Sequence, residues 1–173
     1  MTRVGSVRAI VNTMKDYEGF QGSIGRTFKD SVPDWPQRPH PGESAPNVIV
    51  ILFDDLGFSH LGCYGSTIDT PNIDLLADQG LRYTNFHVTP LCSPTRAALL
   101  TGRNHHAVGM RGVSNFDSGF PHMRGQISNH AATVAEVVRE EGYTTFALGK
   151  WHLCPMVDAS PAGPYDQWPL QRG

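Results

Sequence analysis

Residues Val48, Ile49, Val50, Ile51, Leu52 and Phe53 form an uninterrupted run of β-branched and aromatic side chains that stops abruptly at Asp54 and Asp55. A strand with one face in water alternates apolar and polar residues. A run without alternation is the pattern of a strand buried on both faces, as in a parallel sheet. The downstream sequence has the matching rhythm. Thr70 before Pro71 marks a helix start, with Ile73, Leu75, Leu76 and Ala77 on its apolar side and Gly80 as its stop. Residues 82–88 read as a second strand leading into a helix that begins at Cys92. Asn129 is a candidate cap for a third helix with Ala132, Val134, Ala135, Val137 and Val138 as its buried side, closed by Gly142. Residues 144–148 then give a third strand. Strands alternating with helices predict an α/β fold with a doubly wound, mainly parallel sheet and right-handed crossovers.

At 173 residues the chain is long enough for one domain with a core. Residues 1–46 are rich in proline and glycine without sustained periodicity, and are expected to form an amino-terminal arm, extended along the prolines at 33, 36, 39 and 41. Residues 47–173 are expected to be the folded catalytic part. A net charge of −2 with interspersed signs gives no basic patch, which argues against nucleic acid and anionic membrane as partners. The first thirty residues hold no apolar block of the signal-peptide kind, and no stretch is long enough to span a bilayer. The three cysteines, Cys63, Cys92 and Cys154, are odd in number and widely spaced, unlike a secreted disulfide framework. A cytoplasmic location is therefore expected.

Three clusters with chemical potential fall at the carboxyl ends of the predicted strands, where open parallel sheets bind ligands. Asp54 and Asp55 follow the first. Two adjacent carboxylates there suit a hard divalent cation, although for an isolated pair a solvated loop is the favoured reading. Cys92 opens the second helix, where unpaired N–H groups and the helix dipole favour an anion, and Arg96, four residues on, shares its face. A free cysteine is also commonly a small buried hydrophobe. A phosphatase-type thiolate fits less well, because the Cys-to-Arg spacing is short and a phosphate-cradling loop needs glycines absent here. Lys150 and His152, after the third strand, project to one side if strand geometry continues. Taken singly, they read as a surface lysine and a structural histidine. The adjacent His105 and His106 lack the spacing of a zinc site.

The run Cys92-Ser93-Pro94-Thr95-Arg96, continued to Thr101-Gly102-Arg103, resembles the C-x-P-x-R modification signature of type I sulfatases. The segments Asn47 to Phe58 and Gly142 to Leu153 resemble that family's first strand and second signature. The resemblance implies an alkaline-phosphatase-like fold and an arylsulfatase-like sulfuric ester hydrolase. It implies that Cys92 is oxidised to formylglycine by a formylglycine-generating enzyme and that Asp54, Asp55 and the residue at 92 bind calcium, or less readily magnesium. It further implies that Arg96 orients the nucleophile, that Lys150 contacts the sulfate and that His152 handles a proton of the hydrate. Calcium wants about six to eight oxygens, and the family supplies the rest, with a second lysine and a histidine acid, from downstream sequence. The expectation is the amino-terminal portion of a sulfatase, inactive by itself. A formylglycine-dependent phosphonate or phosphate-ester hydrolase and a non-catalytic truncated fragment are the alternatives.

Overall fold

A computed structural model of the chain describes residues 19–35 and 40–173. The rest of the expected arm, residues 1–18 and 36–39, including most of its proline-rich run, lies outside the described residues. The chain divides into two units, Met1–Pro39 and His40–Gly173.

In the first unit, residues 19–35 close into a small polar loop. Ser23 and Val32 exchange both backbone hydrogen bonds as an isolated antiparallel bridge, 3.0 and 2.8 Å. Between them a 3-10 turn, Phe28–Asp30, is fixed by Thr27 Oγ1 donating to Asp30 Oδ2 at 2.8 Å. Short polar side chains that bond nearby backbone favour turns of this kind.

The second unit holds three α-helices: α1, Pro71–Gln79; α2, Cys92–Thr101; and α3, Val134–Glu140. Thr70 and Pro71 start α1 as expected, and Thr70 also joins it to the preceding chain. Its hydroxyl donates to Asp74 Oδ1 at 2.9 Å and accepts the Gly62 N–H at 2.8 Å, while Asp74 Oδ1 accepts the Cys63 N–H at 2.7 Å. An added Cβ at Gly62 would stand 2.4 Å from the Asp74 carboxylate, so that side chain would have to shift. Helix α2 ends at Gly102, whose φ of 64° lets its N–H reach the Ala98 carbonyl, 2.9 Å away.

Helix α3 begins later than the sequence suggested. Its cap is Thr133, with a full capping box: the Glu136 N–H donates to Thr133 Oγ1 at 3.1 Å and the Thr133 N–H to Glu136 Oε2 at 2.6 Å. Asn129 caps nothing. Its Oδ1 instead accepts from Gln167 Nε2 at 2.8 Å and from Arg172 Nη1 at 3.0 Å. The expected buried side of α3 is likewise only partial, since Ala135 and Val138 are half-buried and Ala132, Val134 and Val137 are exposed.

The core is small and lies on one side of α2. Ala97, Val108, Met110, Ile127, Ala131 and Leu153 are buried, with Leu100 and Trp151 packed against them. The carboxyl-terminal stretch is less loop-like than its composition implies. It forms 3-10 turns at Met156–Asp158 and Pro169–Gln171, and buried Arg172 donates to the Ala131 carbonyl at 2.6 Å. Thr133 Oγ1 donates back to the Arg172 carbonyl at 2.6 Å.

The predicted sheet is not formed among the described residues. Residues 47–53, 82–88 and 144–148 contain no paired strand, and the described residues form only isolated bridges. Ile49 is 83% and Leu148 96% exposed. A helix satisfies its backbone from within its own segment, whereas a strand takes its partners from another. Apolar β-branched runs without such partners stay extended and open to solvent.

Candidate active site

Cys92 is the first residue of α2, preceded by Leu91, whose side chain caps nothing. The helix therefore presents uncapped N–H groups and the positive end of its dipole beside the cysteine. Cys92 Sγ lies 3.1 Å from His152 Nδ1, and the far ring nitrogen, Nε2, lies 2.5 Å from Asn115 Oδ1. Burial lowers the pKa of His152 below its ordinary value, with further lowering by the positive charges of Lys150 and Arg96 and partial opposition from Asp54. The lowering favours the neutral ring, in which one nitrogen carries hydrogen and the other a lone pair.

Arg96 sits one turn along α2 and is mostly buried. Its Nη1 donates to the Lys150 carbonyl at 2.6 Å and its Nη2 to Asp54 Oδ1 at 3.0 Å. Lys150 Nζ donates to the other oxygen of the same carboxylate, Asp54 Oδ2, at 2.7 Å. Those two bonds, Lys150 first and Arg96 second, hold the Asp54 carboxyl below the usual carboxylate range. Reciprocally, the bond from Asp54 raises the pKa of Lys150.

Lys150 and His152 reach the site without the strand geometry expected for them. Gly149 has φ 85° and His152 φ 56°, so the chain coils between the two side chains instead of alternating. A positive φ is uncommon for a non-glycine residue and marks a backbone held in place by its surroundings. The holder is Ser93. Its buried hydroxyl donates to the His152 carbonyl at 2.7 Å and accepts the Ser114 N–H at 3.2 Å.

The structure thus brings Asp54, Cys92, Arg96, Lys150 and His152 together. Asp55 takes φ 53° and forms no hydrogen bond or ion pair with the described residues. Asn115 and Ser93 belong to the constellation, and neither carries a sequence signal of its own. Asn115 lies in a loop without periodicity, and Ser93 is overshadowed by the cysteine beside it. His105 and His106 serve locally: His105 Nδ1 meets the Met110 carbonyl at 2.9 Å, and burial lowers the pKa of His106. Cys63 and Cys154 are free, and burial raises the pKa of Cys154.

The expected calcium site can be tested against this donor set. Both oxygens of Asp54 are bonded to cationic side chains, and no group of three or more His, Cys, Asp or Glu among the described residues can hold a metal ion. Hard divalent cations need several oxygen donors. Asp54, Asp55 and Cys92 as arranged do not by themselves complete such a shell.

A cysteine at a helix start thus faces a histidine and is flanked by an arginine and a lysine, a cationic setting that suits an anionic group. The family profile described as Sulfatase matches residues 46–170. Arylsulfatase A of Homo sapiens is 50% identical over 111 residues, covering 62% of this chain and 21% of that protein. The steryl-sulfatase of Homo sapiens is 41% identical over 122 residues, 69% of this chain and 21% of that protein. The arylsulfatase of Klebsiella aerogenes is 37% identical over 121 residues, 69% of this chain and 26% of that protein. The chain belongs to the sulfatase family of enzymes. It spans about a fifth to a quarter of the length of these curated relatives.

Proposed function

We propose that the protein is an arylsulfatase-like sulfuric ester hydrolase in which Cys92, converted to formylglycine, supplies the nucleophile. The strongest support is the 3.1 Å contact between Cys92 Sγ and His152 Nδ1 at the uncapped start of α2. A formylglycine is an aldehyde whose hydrate offers a hydroxyl for attack at sulfur and a second one for expelling the sulfate.

The roles of this chain's own residues follow from their positions. His152 Nδ1 takes a proton from the group at position 92, the nearest acidic atom to its lone pair. Lys150 and Arg96 place two positive charges where the oxygens of an anionic ester gain charge during transfer. Without substrate those charges are shared with Asp54, so an anionic ester competes with that carboxylate for them. The helix start adds partial positive charge from the other side. The partners in this reading are a sulfate-ester substrate and a formylglycine-generating enzyme. The same reading makes residues 48–53, 82–88 and 144–148 strands of an alkaline-phosphatase-like α/β sheet.

Co-expression with a formylglycine-generating enzyme tests the central step. The peptide containing residue 92 should show the lower mass expected when its thiol is replaced by an aldehyde, and a hydrazide probe should label wild type but not Cys92→Ala. An unmodified thiol, under conditions that convert a control sulfatase, sinks the reading. On a converted chain that turns over, loss of aryl sulfate hydrolysis in Cys92→Ala and Lys150→Ala supports it. Faster turnover of a phosphonate ester than of the sulfate would assign the site to the other ester class.

A further inference from the structure

We propose that Asn115 is a positioning residue that locks His152 in the Nε2–H tautomer and leaves the Nδ1 lone pair facing position 92. This role rests on reading position 92 as the reactive centre.

Hydrogen-bond inventory decides the tautomer. The side-chain oxygen of asparagine only accepts, so a neutral ring with Nε2 2.5 Å from Asn115 Oδ1 must carry its hydrogen on Nε2. The neutral ring has one N–H, so Nδ1 is then an acceptor, and it points at Cys92 Sγ. In the other tautomer Nδ1 already holds a hydrogen and can take no proton from position 92. A second partner that fixes the tautomer of a working histidine is a recurrent requirement of such sites.

The rest of the geometry keeps Asn115 in register. Its Nδ2 is turned toward Met156 Sδ, 3.9 Å away, which leaves the oxygen for the ring. Ser93 binds the backbone on both sides, through the His152 carbonyl and through the N–H of Ser114, the residue before Asn115. One buried hydroxyl at the start of α2 thus sets the spacing between the histidine and its acceptor. Behind the loop, Gly125 has φ 69°, and a Cβ there would stand 2.7 Å from the Ser114 carbonyl oxygen. The Arg124 N–H donates to the Gly109 carbonyl at 2.8 Å, closing the base of the same loop. Asn115 is therefore carried on a braced segment, although it is exposed itself.

The test is a two-bond 1H–15N correlation spectrum of the full 173-residue chain labelled at histidine nitrogen, with the His152 signals identified by their loss in His152→Gln. Wild type should show the Nε2–H pattern. Asn115→Leu should shift His152 to a mixture or to Nδ1–H, and Asn115→Asp, which keeps an acceptor oxygen, should retain Nε2–H. Alkylation of the Cys92 peptide by iodoacetamide, followed by mass spectrometry, should slow about tenfold in Asn115→Leu and recover in Asn115→Asp. An Nδ1–H pattern in wild type overturns the proposal without any variant, which also covers an Asn115→Leu protein that fails to fold. An unchanged His152 pattern in a folded Asn115→Leu overturns it as well. Failure of Cys92 to become an aldehyde would leave these spectra untouched, so the two readings fail separately.

Discussion

Ala97, Val108, Met110, Ile127 and Leu153 are closed to solvent, whereas Ile49, Ile51, Phe146 and Leu148, residues at least as apolar on the whole, stand open to it. In the first group, Ala97 lies on α2 and Val108 on a 3-10 turn, His105–Val108, while Met110 forms an isolated bridge with Met123 and the Val108 carbonyl accepts the Ser128 N–H at 2.9 Å. The second group lies in extended runs that end at the site, one at Asp54 and one just before Lys150. The difference teaches that hydrophobicity alone does not bury a segment. Its backbone must also be satisfied, and in a strand that requires another strand.

Replacing one residue from each region should break or uphold this contrast most sharply. Ile127→Ala removes a side chain that is 1% exposed and should cost about 2–5 kcal/mol in denaturant unfolding of the chain. Ile49→Ala removes a side chain that is 83% exposed and should cost no more than about 0.5 kcal/mol. Equal costs would mean that the extended run is packed in solution, and the contrast would be lost.

A smaller effect is expected at the capping box of α3. Thr133→Ala removes the acceptor for the Glu136 N–H and the donor to the Arg172 carbonyl, and should cost about 0.5–2 kcal/mol. Because Thr133 is buried and carries both bonds, a loss below that range would show that the carboxyl-terminal contact is not formed in solution.

The smallest effect should come from the ion pairs where the two regions meet. Asp54 ends one extended run and is held to α2 by Arg96 and to the end of the other run by Lys150. Its folded pKa lies below the unfolded one, so the contact's contribution is present above the unfolded carboxylate value. It is lost as pH falls through the lowered folded value. A carbon-detected titration of the Asp54 carboxyl should place its midpoint below the usual range and move it upward in Lys150→Met. No movement would separate Asp54 from Lys150 and leave Arg96 as the tether of the extended run.

Local spacing made the helices legible. Thr70 before Pro71, Gly80 after Gln79 and Gly142 after the α3 run all act where the sequence put them, because caps and stops are set within about one turn. Asn129 misled for an instructive reason. Its side chain suits a cap, but Thr133 has the glutamate three residues on that completes the box, and Asn129 serves Gln167 and Arg172 instead. The three extended runs were recognisable as β-prone, yet their pairing was not, since β propensity describes a surface that still needs a neighbour.

By itself the sequence determined the family, through the Cys92 to Arg103 and Gly142 to Leu153 motifs, and most of the helix boundaries, the start of α3 excepted. Only the tertiary structure decided that His152 meets Cys92 across 60 residues of chain and Asn115 across 37, and that both are joined through Ser93. Helix caps are read over three or four positions, so their chemistry is written in neighbouring letters. Contacts between distant segments depend on the path of the whole chain, and Asn115 became visible only when that path laid its loop beside the imidazole.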